Sequence, residues 1–390
     1  MLSPYRVVDA TDHRGQLAGM VLAGLGAEVV LVEPPGGLPG RDHGDGLTWW
    51  AYNRGKHSVV CASDDEVLEL LGSADVLIDN GRFDPAVTAA RNPALVHVSV
   101  TAFGCDGPKA GWAASDLTVL AAGCAQALNG DRDRAPVRTS VPQAWLHAGA
   151  EAAVGALLAL TERQRSGRGQ HVDVSAQQAV MQAGIPGVLL APNDNPEAQR
   201  TSGGILAGPV HLQFVYPASD GYVSITLLFG TMIGPFSRRL MEWVHEEGHC
   251  STEMLAWDWE AFGLRLATTE EGAAELEQVK AAITEMTSSH TKAELFAEAQ
   301  RRQVLLAPVA TAAELVADEH LHARGYWTTV DGRTCPGPFV KASGWPLPVL
   351  PAAAAVGANG LAPRRARRSP RRPTWRGAAG RRWPSSRSST

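Results

Sequence analysis

Short apolar runs alternate with helix-like stretches over the first half of the chain, and this alternation predicts parallel βαβ units. RVVDA (Arg6–Ala10) has the apolar character of a buried strand, and QLAGMVLAGLG (Gln16–Gly26) has the periodicity of a helix. AEVVLVEPP (Ala27–Pro35) is a β-branched strand closed by prolines. Further strands are predicted in HSVVCA, DVLIDN and ALVHVSVTAFG. We therefore expect an α/β fold with a Rossmann-like, doubly wound parallel sheet.

After about residue 195 the pattern changes to charged helices and isolated strands. A glycine- and polar-rich stretch, 193–209, predicts a linker, and YPASDGYVSITLL (Tyr216–Leu228) predicts a turn and a strand. Thr291 and Glu294 have capping-box spacing at the start of an amphipathic helix. We predict a large domain (1–195), a smaller α+β domain (196–305), a return to the large domain (306–350), and a linker with a disordered arginine-rich tail (351–390).

Composition places the chain among globular proteins. Apolar residues make up 45% and charged residues 19% of its 390 positions. Its five cysteines are scattered, which argues against a metal site or a disulfide framework and for a reducing, cytoplasmic location. No run of eighteen apolar residues or signal-peptide pattern is present, so we expect no membrane contact.

Charge is distributed unevenly between the body and the C-terminal tail. Ten arginines and no acidic residue lie in Arg364–Thr390, so the rest of the chain, with 25 basic and 40 acidic residues, carries a net charge of −15. The tail is either an arm for an anionic surface or a disordered extension, and its lack of apolar periodicity favours the second. The acidic body argues against nucleic acid as the main partner.

Four basic side chains follow or begin strands where a phosphate-bearing ligand would bind. Arg41 comes shortly after VEPPGG, Arg54 and Lys56 lie in NRGK, and Arg82 follows the fourth strand. A diphosphate needs fixed donors and positive charge, which these residues supply. The alternative for each is a solvated surface cation.

Two glycines, Gly15 and Gly19, lie where the first strand turns into the first helix. Glycine there allows a ligand phosphate or adenine to approach the backbone near the positive end of the helix. Glycine would equally allow the helix to pack closely on the strand. The full GxGxxG spacing is absent, so the motif does not decide between the two interpretations. The sequence leaves both interpretations open.

Six collinear motifs together resemble the class III CoA-transferases, which include formyl-CoA transferase, carnitine CoA-transferase and the α-methylacyl-CoA racemases. The motifs are GAEVVLVEPPGG (Gly26–Gly37), YNRGKHSV (Tyr52–Val59), ADVLIDNGR (Ala74–Arg82), RSGRGQHVDVS (Arg165–Ser175), YPASDGYVSI (Tyr216–Ile225) and DEHLHARGYW (Asp318–Trp327). The resemblance extends to about Gly344. It implies an interlocked homodimer that acts on an acyl-CoA and a small carboxylic acid, with coenzyme A as substrate and no tightly bound cofactor.

The resemblance also implies a place and a mechanism for coenzyme A. The segment around Gln16 would contact the adenosine part, although Gly15–Gln16 replaces the glycine–proline pair that is commoner in the family. The acyl end would lie at the interface of dimer and domains. Transferases of the family form an aspartyl-CoA thioester through a mixed anhydride, whereas the racemases use an aspartate and a histidine to move an α-proton.

One position departs from the family pattern. Relatives carry the catalytic aspartate in V-P-x-A-D-x-x-A-G, in the loop ahead of a long helix, and this chain has Trp145 at the aspartate position of Val141–Gly149. Indole has no carboxylate and cannot form an acyl anhydride, and its bulk would occupy part of an acyl pocket. The catalytic residue is therefore unknown from the sequence.

Neighbouring residues offer no obvious replacement. We predict His147 to be a loop histidine and Glu151 to face elsewhere on the helix. Asp131 and Asp133 lie in NGDRDR, which has the composition of a solvated turn. The racemase mechanism also loses its histidine, because Ser115 precedes Asp116 at that position.

The function predicted from the sequence is CoA transfer between an acyl-CoA and a carboxylic acid. The nucleophile would come from an unrecognised residue or from an aspartate-bearing homologous subunit. The alternative is a catalytically silent CoA-binding pseudoenzyme, or one half of a two-copy CoA-transferase. The acyl group is not indicated, although the loop Thr201–Pro209 is a candidate wall of the acyl site.

Overall fold

A six-stranded parallel sheet with the order β3-β2-β1-β4-β5-β6 organises the first half of the chain. The computed structural model describes residues 1–195, 198–207 and 210–360, without the side chains of Ala207, Ala267 and Glu270. The strands of this sheet are β1 (Arg6–Asp9), β2 (Glu28–Glu33), β3 (Lys56–Val60), β4 (Val76–Asp79), β5 (Val96–Thr101) and β6 (Gln170–Ser175). The predicted α/β class is confirmed, and the order is that of a Rossmann-like doubly wound sheet.

Helices cover both faces of the sheet because its strands carry apolar side chains on both sides. They are α1 (Gln16–Gly24), α2 (Leu47–Asn53), α3 (Asp64–Leu71), α4 (Pro85–Arg91), α5 (Asp116–Ala122), α6 (Ala144–Ser166), α7 (Ala176–Ala183) and α8 (Ile185–Val188). Val7 and Val98 pack with α1 and α6 on one face, and Val8 and Leu77 pack with α3 on the other. Alternate residues of each strand therefore feed two separate cores.

Helix α6 has the length and mean hydropathy of a membrane span, alone among the helices that the structure describes. Half of the qualifying window is buried in the protein. Near its end, Arg163 is buried and forms an ion pair of 2.9 Å with Asp75. Its small residues pack against α1 and the sheet, as Gly149 does against Leu17. These are the properties of a core helix.

The second half of the chain builds a separate core around a small antiparallel sheet of order β11-β10-β9. Its elements are β7 (Gly204–Ala207), β8 (Val210–Gln213), β9 (Val215–Ala218), β10 (Gly221–Ile225), α9 (Gly234–Glu246), α10 (Thr252–Leu255), α11 (Phe262–Thr268), α12 (Glu270–Ser288), α13 (Lys292–Arg302) and β11 (Leu306–Pro308). The capping box predicted at Thr291 is present. Strand β11 pairs with β10, just beyond the domain end that we placed at residue 305.

The stretch 193–209, predicted to be a linker, contains more structure than its composition suggests. Ile205 and Leu212 are partners in a hairpin between β7 and β8. Glycine and polar residues around it masked two short β-branched segments that are stable only as a pair. Thr201–Pro209, the candidate wall of the acyl site, lies partly outside the described residues, so this prediction stays open.

The chain returns to the large sheet after α14 (Ala312–Ala317), α15 (Glu319–Ala323), β12 (Trp327–Val330) and β13 (Arg333–Pro336). An irregular segment, 337–360, then lies along β3. Gly357 N donates to Ser58 Oγ over 2.9 Å, and Asn359 N donates to Ser58 O over 3.1 Å. Residues 351–360, predicted as linker, thus cover the edge of the sheet. The arginine-rich tail from Arg364 lies outside the described residues.

Close packing explains the two glycines of the first βα turn. A Cβ on Gly15 would lie 2.5 Å from Thr11 Cγ2, and one on Gly19 would overlap the Asp9 carboxylate. We expect Gly19→Ala to lower the free energy of unfolding by about 1–3 kcal/mol, because overpacking outweighs the better helix propensity of alanine. Urea denaturation measures this effect. Gly111→Ala, at a position with no atom within 4 Å of the added Cβ, is the control and should change little.

Candidate functional site

The strand order reverses between β1 and β4, and the loops that follow these strands meet at that point. Ala10 N donates to Ile78 O over 2.9 Å, and Asp12 N donates to Asn80 Oδ1 over 2.9 Å. Asn80 Nδ2 in turn donates to Val100 O over 3.0 Å. In doubly wound sheets the crevice outside the carboxyl ends of the strands at the reversal is the usual ligand site. We call this feature the β1/β4 crevice.

Lys56 is held inside the protein by three partners. Its Nζ donates to Asp9 Oδ2, Gln16 O and Asn53 Oδ1, each over 2.8 Å. An ammonium group has three hydrogens, so these bonds use all of them. Burial lowers the pKa of Lys56, while the Asp9 carboxylate opposes that shift. This geometry gives Lys56 an internal role beside the crevice and leaves it no donor for a phosphate.

Gln16 begins helix α1, and its backbone oxygen accepts from Lys56. Its side chain is buried, and its Oε1 accepts from Asn53 Nδ2 over 3.2 Å. Asn53 was not predicted, although it stands in the same NRGK motif as Arg54 and Lys56. Asp9 was not predicted either, and its position at the end of β1 was the available signal. Together these side chains fix the turn from β1 into α1.

Arg41 lies over the edge of β2 and is paired with Glu33. Its Nε and Nη2 reach the two Glu33 oxygens over 2.7 and 2.5 Å, and Nη2 also donates to Ala354 O over 3.0 Å. The guanidinium stacks on the Trp49 ring at 3.9 Å. Within the described part of the chain, Nη1 makes no hydrogen bond, so one edge of Arg41 is left for a ligand phosphate.

The Glu33 carboxylate is fully buried and accepts several hydrogen bonds. Burial alone would raise its pKa, but bonds from Arg41, Ser58 and the backbone of Leu38 hold the pKa below its usual value of 4.5. The stability gained from this lowered pKa is complete above pH 4.5. It is lost as the pH falls through the lower folded-state pKa.

Glu33→Gln should therefore destabilise the protein mainly at neutral pH, by roughly 1–3 kcal/mol for a charged hydrogen bond. The difference from the native protein should narrow as the pH falls below 4.5, because Glu33 of the unfolded chain is protonated first, and it should be smallest once the folded carboxyl is neutral as well. Urea denaturation at pH 7, 5, 4 and 3 checks this expectation. Glu69→Gln, on the exposed face of α3, is the matched control, and a constant difference for Glu33→Gln would contradict the prediction.

Arg54 and Arg82 lie in separate internal pairs. Arg54 is buried, and its Nη1 donates to Cys335 Sγ over 2.9 Å and to Pro336 O over 3.1 Å, which ties the large domain to strand β13. Arg82 forms an ion pair with Asp64 at the start of α3 and is half exposed. Of the five predicted ligand contacts, the structure brings Gln16 and Lys56 into one cluster and holds the three arginines in separate pairs. Their contacts with coenzyme A stay predictions.

Trp145 lies in the first turn of α6, not in a loop ahead of the helix as expected. The helix begins at Ala144, whose N–H donates to Asp116 Oδ1 over 2.7 Å, so Asp116 closes this helix end. The indole is 5% exposed and packs into the core under α1. Its ring meets the His13 ring edge-on, with centroids 6.5 Å apart. Because His13 lies in the loop after β1, the indole lies next to the β1–α1 loop.

The side chains near Trp145 differ in part from the sequence expectations. His147 is on helix α6 and not in a loop, and it lies one turn before Glu151. Glu151 interacts electrostatically with His147, one turn earlier on the same face of α6; burial raises the pKa of Glu151, and His147 opposes this. Asp131 pairs with Arg134 in an exposed turn.

Position 145 carries a buried indole where relatives carry a carboxylate. Across residues 1–195, 198–207 and 210–360, no three His, Cys, Asp or Glu side chains converge in a way that could hold a metal ion. The start of α1 lies beside the β1/β4 crevice, and Arg41 lies beyond the end of β2 with one edge of its guanidinium unbonded within the described residues. Both groups suit an anionic ligand.

Comparison with known proteins gives the same picture over the whole chain. The chain is 32% identical over 354 residues to the succinyl-CoA:(R)-benzylsuccinate CoA-transferase subunit BbsE of Thauera aromatica, covering 84% of this chain and 83% of that protein. It is 30% identical to a probable CoA-transferase of Mycobacterium tuberculosis, with 81% of this chain and 40% of that protein covered. The crystal structure of a CAIB/BAIF family protein from Brucella suis matches with a TM-score of 0.77 and 25% identity, over 92% of this chain and 96% of that one.

The family assignment follows from coverage as well as from similarity. The model of CoA-transferase family III matches residues 2–360, which include both cores and the segment that returns along β3. The relatives are named as CoA-transferases, so the function predicted from the sequence, transfer of CoA from an acyl-CoA to a carboxylic acid, is confirmed at the level of the family. The chain belongs to CoA-transferase family III.

Proposed function

We propose that this chain is the CoA-binding, nucleophile-free subunit of a CoA-transferase, and that a homologous subunit supplies the catalytic aspartate. The observation that carries the proposal is the buried indole of Trp145 in the first turn of α6. An indole cannot attack a thioester carbonyl, whereas a carboxylate can. The chain would complete the active site of its partner at the interface of domains.

Two properties of the relatives support a partner of this kind. The Thauera aromatica relative is named as a subunit, and it aligns with this chain over most of both lengths. In the Mycobacterium tuberculosis relative the match leaves more than half of the protein outside the aligned region. A second family copy in such a chain would play the role that we assign here to a separate subunit. An interlocked homodimer is the alternative assembly.

The other proposals concern substrate, cofactor and location. We propose coenzyme A as a substrate that binds the β1/β4 crevice and leaves it, with no tightly bound cofactor. The free edge of Arg41 and the start of α1 support this, because both can bind phosphate oxygens. A cytoplasmic location fits the five cysteines, all of them free thiols in the structure.

The test compares the chain alone with the chain co-expressed with an aspartate-bearing homologue from the same organism. Mass spectrometry follows exchange between a panel of acyl-CoAs and free carboxylic acids. We expect co-purification and exchange by the pair only, and loss of exchange when the aspartate of the homologue is changed to alanine. Exchange by the chain alone would show a nucleophile of its own, and a pair that neither associates nor exchanges would favour the silent pseudoenzyme.

A further inference from the structure

A buried polar network lies under the loop that follows β4, on the side of the sheet covered by α4. His97 on β5 is 2% exposed. Its Nε2 lies 3.2 Å from Asp79 Oδ1, and its Nδ1 lies 3.0 Å from Thr88 Oγ1 on α4. No residue of this network was singled out by the sequence, and none belongs to the groups assigned above to ligand binding.

Two side chains hold the His97 ring from opposite sides. An ionised carboxylate only accepts, so His97 Nε2 carries a hydrogen and donates it to Asp79 Oδ1; Ser99 Oγ lies 3.3 Å from the same nitrogen. Thr88 Oγ1 lies 3.0 Å from His97 Nδ1 and also donates to Pro85 O over 3.1 Å. His97 therefore joins α4 to the end of β4. Burial alone would raise the pKa of Asp79, but His97 holds it below the usual value of 3.8.

Asp79 transmits this contact to the wall of the crevice. Its Oδ1 accepts from Gly81 N over 3.1 Å, and its Oδ2 accepts from Phe83 N over 2.9 Å. Asn80, between Asp79 and Gly81 in the chain, accepts from Asp12 N in the loop after β1. One carboxylate thus folds the backbone of Asn80–Phe83 and presents Asn80 to the opposite wall. A rotation of Asp79 would release two backbone donors and the bridge across the crevice.

We propose that His97 is a positioning residue for the β1/β4 crevice: by fixing the Asp79 carboxylate, it holds the loop Asn80–Phe83 in the shape that binds coenzyme A. The identity of the ligand rests on the proposed function. The effect of His97 on the loop does not, because it follows from contacts within the chain.

Polar and titratable groups surround the His97 ring. Asp79 faces it from β4 and Thr88 from α4, and the His171 ring on β6 lies 5.1 Å away, linked through Ser99 Oγ at 3.1 Å from His171 Nε2. Beyond them are Asp173 and Cys105, joined by a hydrogen bond of 2.9 Å from Cys105 N. Burial lowers the pKa of His171, and the neighbouring His97 lowers it further. Asp79 is the carboxylate in direct contact with the His97 ring.

The experiment measures amide hydrogen exchange at Gly81 and Phe83 in the full chain, together with CoA affinity by calorimetry, at pH 7. The variant is His97→Gln, whose amide cannot contact Asp79 and Thr88 from opposite sides as the ring does. We expect exchange at both amides to become about tenfold faster and CoA affinity to fall about tenfold. His57→Gln, an exposed histidine on β3, is the matched control and should behave as the native protein.

Asp79→Asn and the double variant with His97→Gln test whether His97 acts through Asp79. If it does, the two effects are not additive, because the second substitution removes a contact already lost. Unchanged amide exchange in a folded His97→Gln protein, or additive effects, would overturn the proposal. If His97→Gln does not fold, Asp79→Asn decides it, and unchanged exchange at Gly81 and Phe83 in that variant would overturn the proposal. Failure of the native protein to bind CoA would refute the proposed function, while amide exchange would still decide the role of His97.

Discussion

Replacing Trp145 with aspartate should give the isolated chain CoA-exchange activity that the native chain lacks. The new carboxylate would lie in the first turn of α6, where the positive end of a 23-residue helix stabilises a negative charge. It would also face the β1–α1 loop through His13, which the indole now contacts. We expect a gain on the order of 10², well short of the roughly 10⁶ that a nucleophile contributes in an evolved site.

Mass spectrometry of exchange between an acyl-CoA panel and free carboxylic acids measures this gain. The carboxylate attacks the thioester carbonyl, the C–S bond breaks and CoA leaves as the thiolate, so hydroxylamine should trap an acyl group at position 145. Trp145→Ala is the control, because it opens the same space without a nucleophile and should stay inactive. Trp145→Ala should lower the free energy of unfolding by roughly 3–5 kcal/mol, the usual cost of the cavity left by a buried tryptophan. Comparison with this variant shows which effects of Trp145→Asp come from the cavity and which from the new carboxylate.

Two results would contradict the expectation. Exchange by the native chain would show that another residue already acts, and the half-buried Glu151 beside His147 would then be the first to change. A Trp145→Asp protein that binds CoA but exchanges nothing would show that the crevice has lost more than its carboxylate. Calorimetry with free CoA distinguishes the second result from a simple loss of binding.

The large sheet could be predicted from the sequence because its signals are local. Strands such as Glu28–Glu33 contain valine-rich apolar runs, and the helices between them keep one apolar face. The predicted ends of some helices and strands were wrong by a few residues, because a single residue can end such an element. Helix α5 stops at Ala122, since Gly123 is followed by Cys124 with a φ of +69°, although apolar residues continue to Leu128. The β7–β8 hairpin could not be predicted because neither strand is stable without the other.

The candidate site was less predictable because partners of charged groups come from distant parts of the chain. The residue types and the strand pattern placed Arg41 and Lys56 near strand ends, where basic side chains can bind phosphates. It did not indicate that Arg41 would share its guanidinium between Glu33 and the backbone of Ala354, more than 300 residues away. The tryptophan at position 145 was visible in the sequence. That its indole is buried against the core, and not exposed in a loop, required the structure.

Lys56→Met should cause the largest loss of stability among substitutions near the crevice. The side chain keeps its length but loses the charge, which leaves the buried Asp9 carboxylate without its cation and removes the donors to Gln16 O and Asn53 Oδ1. Removing one partner of a buried ion pair costs about 3–5 kcal/mol. Urea denaturation of the full chain at pH 7 measures this cost. Asp9 would keep the bonds from Thr11 N and Oγ1, which prevents complete loss of its partners.

A second substitution separates the charge from the packing. In Lys56→Met with Asp9→Asn the uncompensated charge is gone, so part of the lost stability should return, because replacing both members of a buried pair costs less than breaking it. Lys341→Met, at an exposed lysine, should lie within about 0.5 kcal/mol of the native protein. If Lys56→Met alone lowers the free energy of unfolding by less than about 1 kcal/mol, water must reach Asp9. Lys56 would then be accessible from the crevice, and its side chain could contact a CoA phosphate as the sequence predicted.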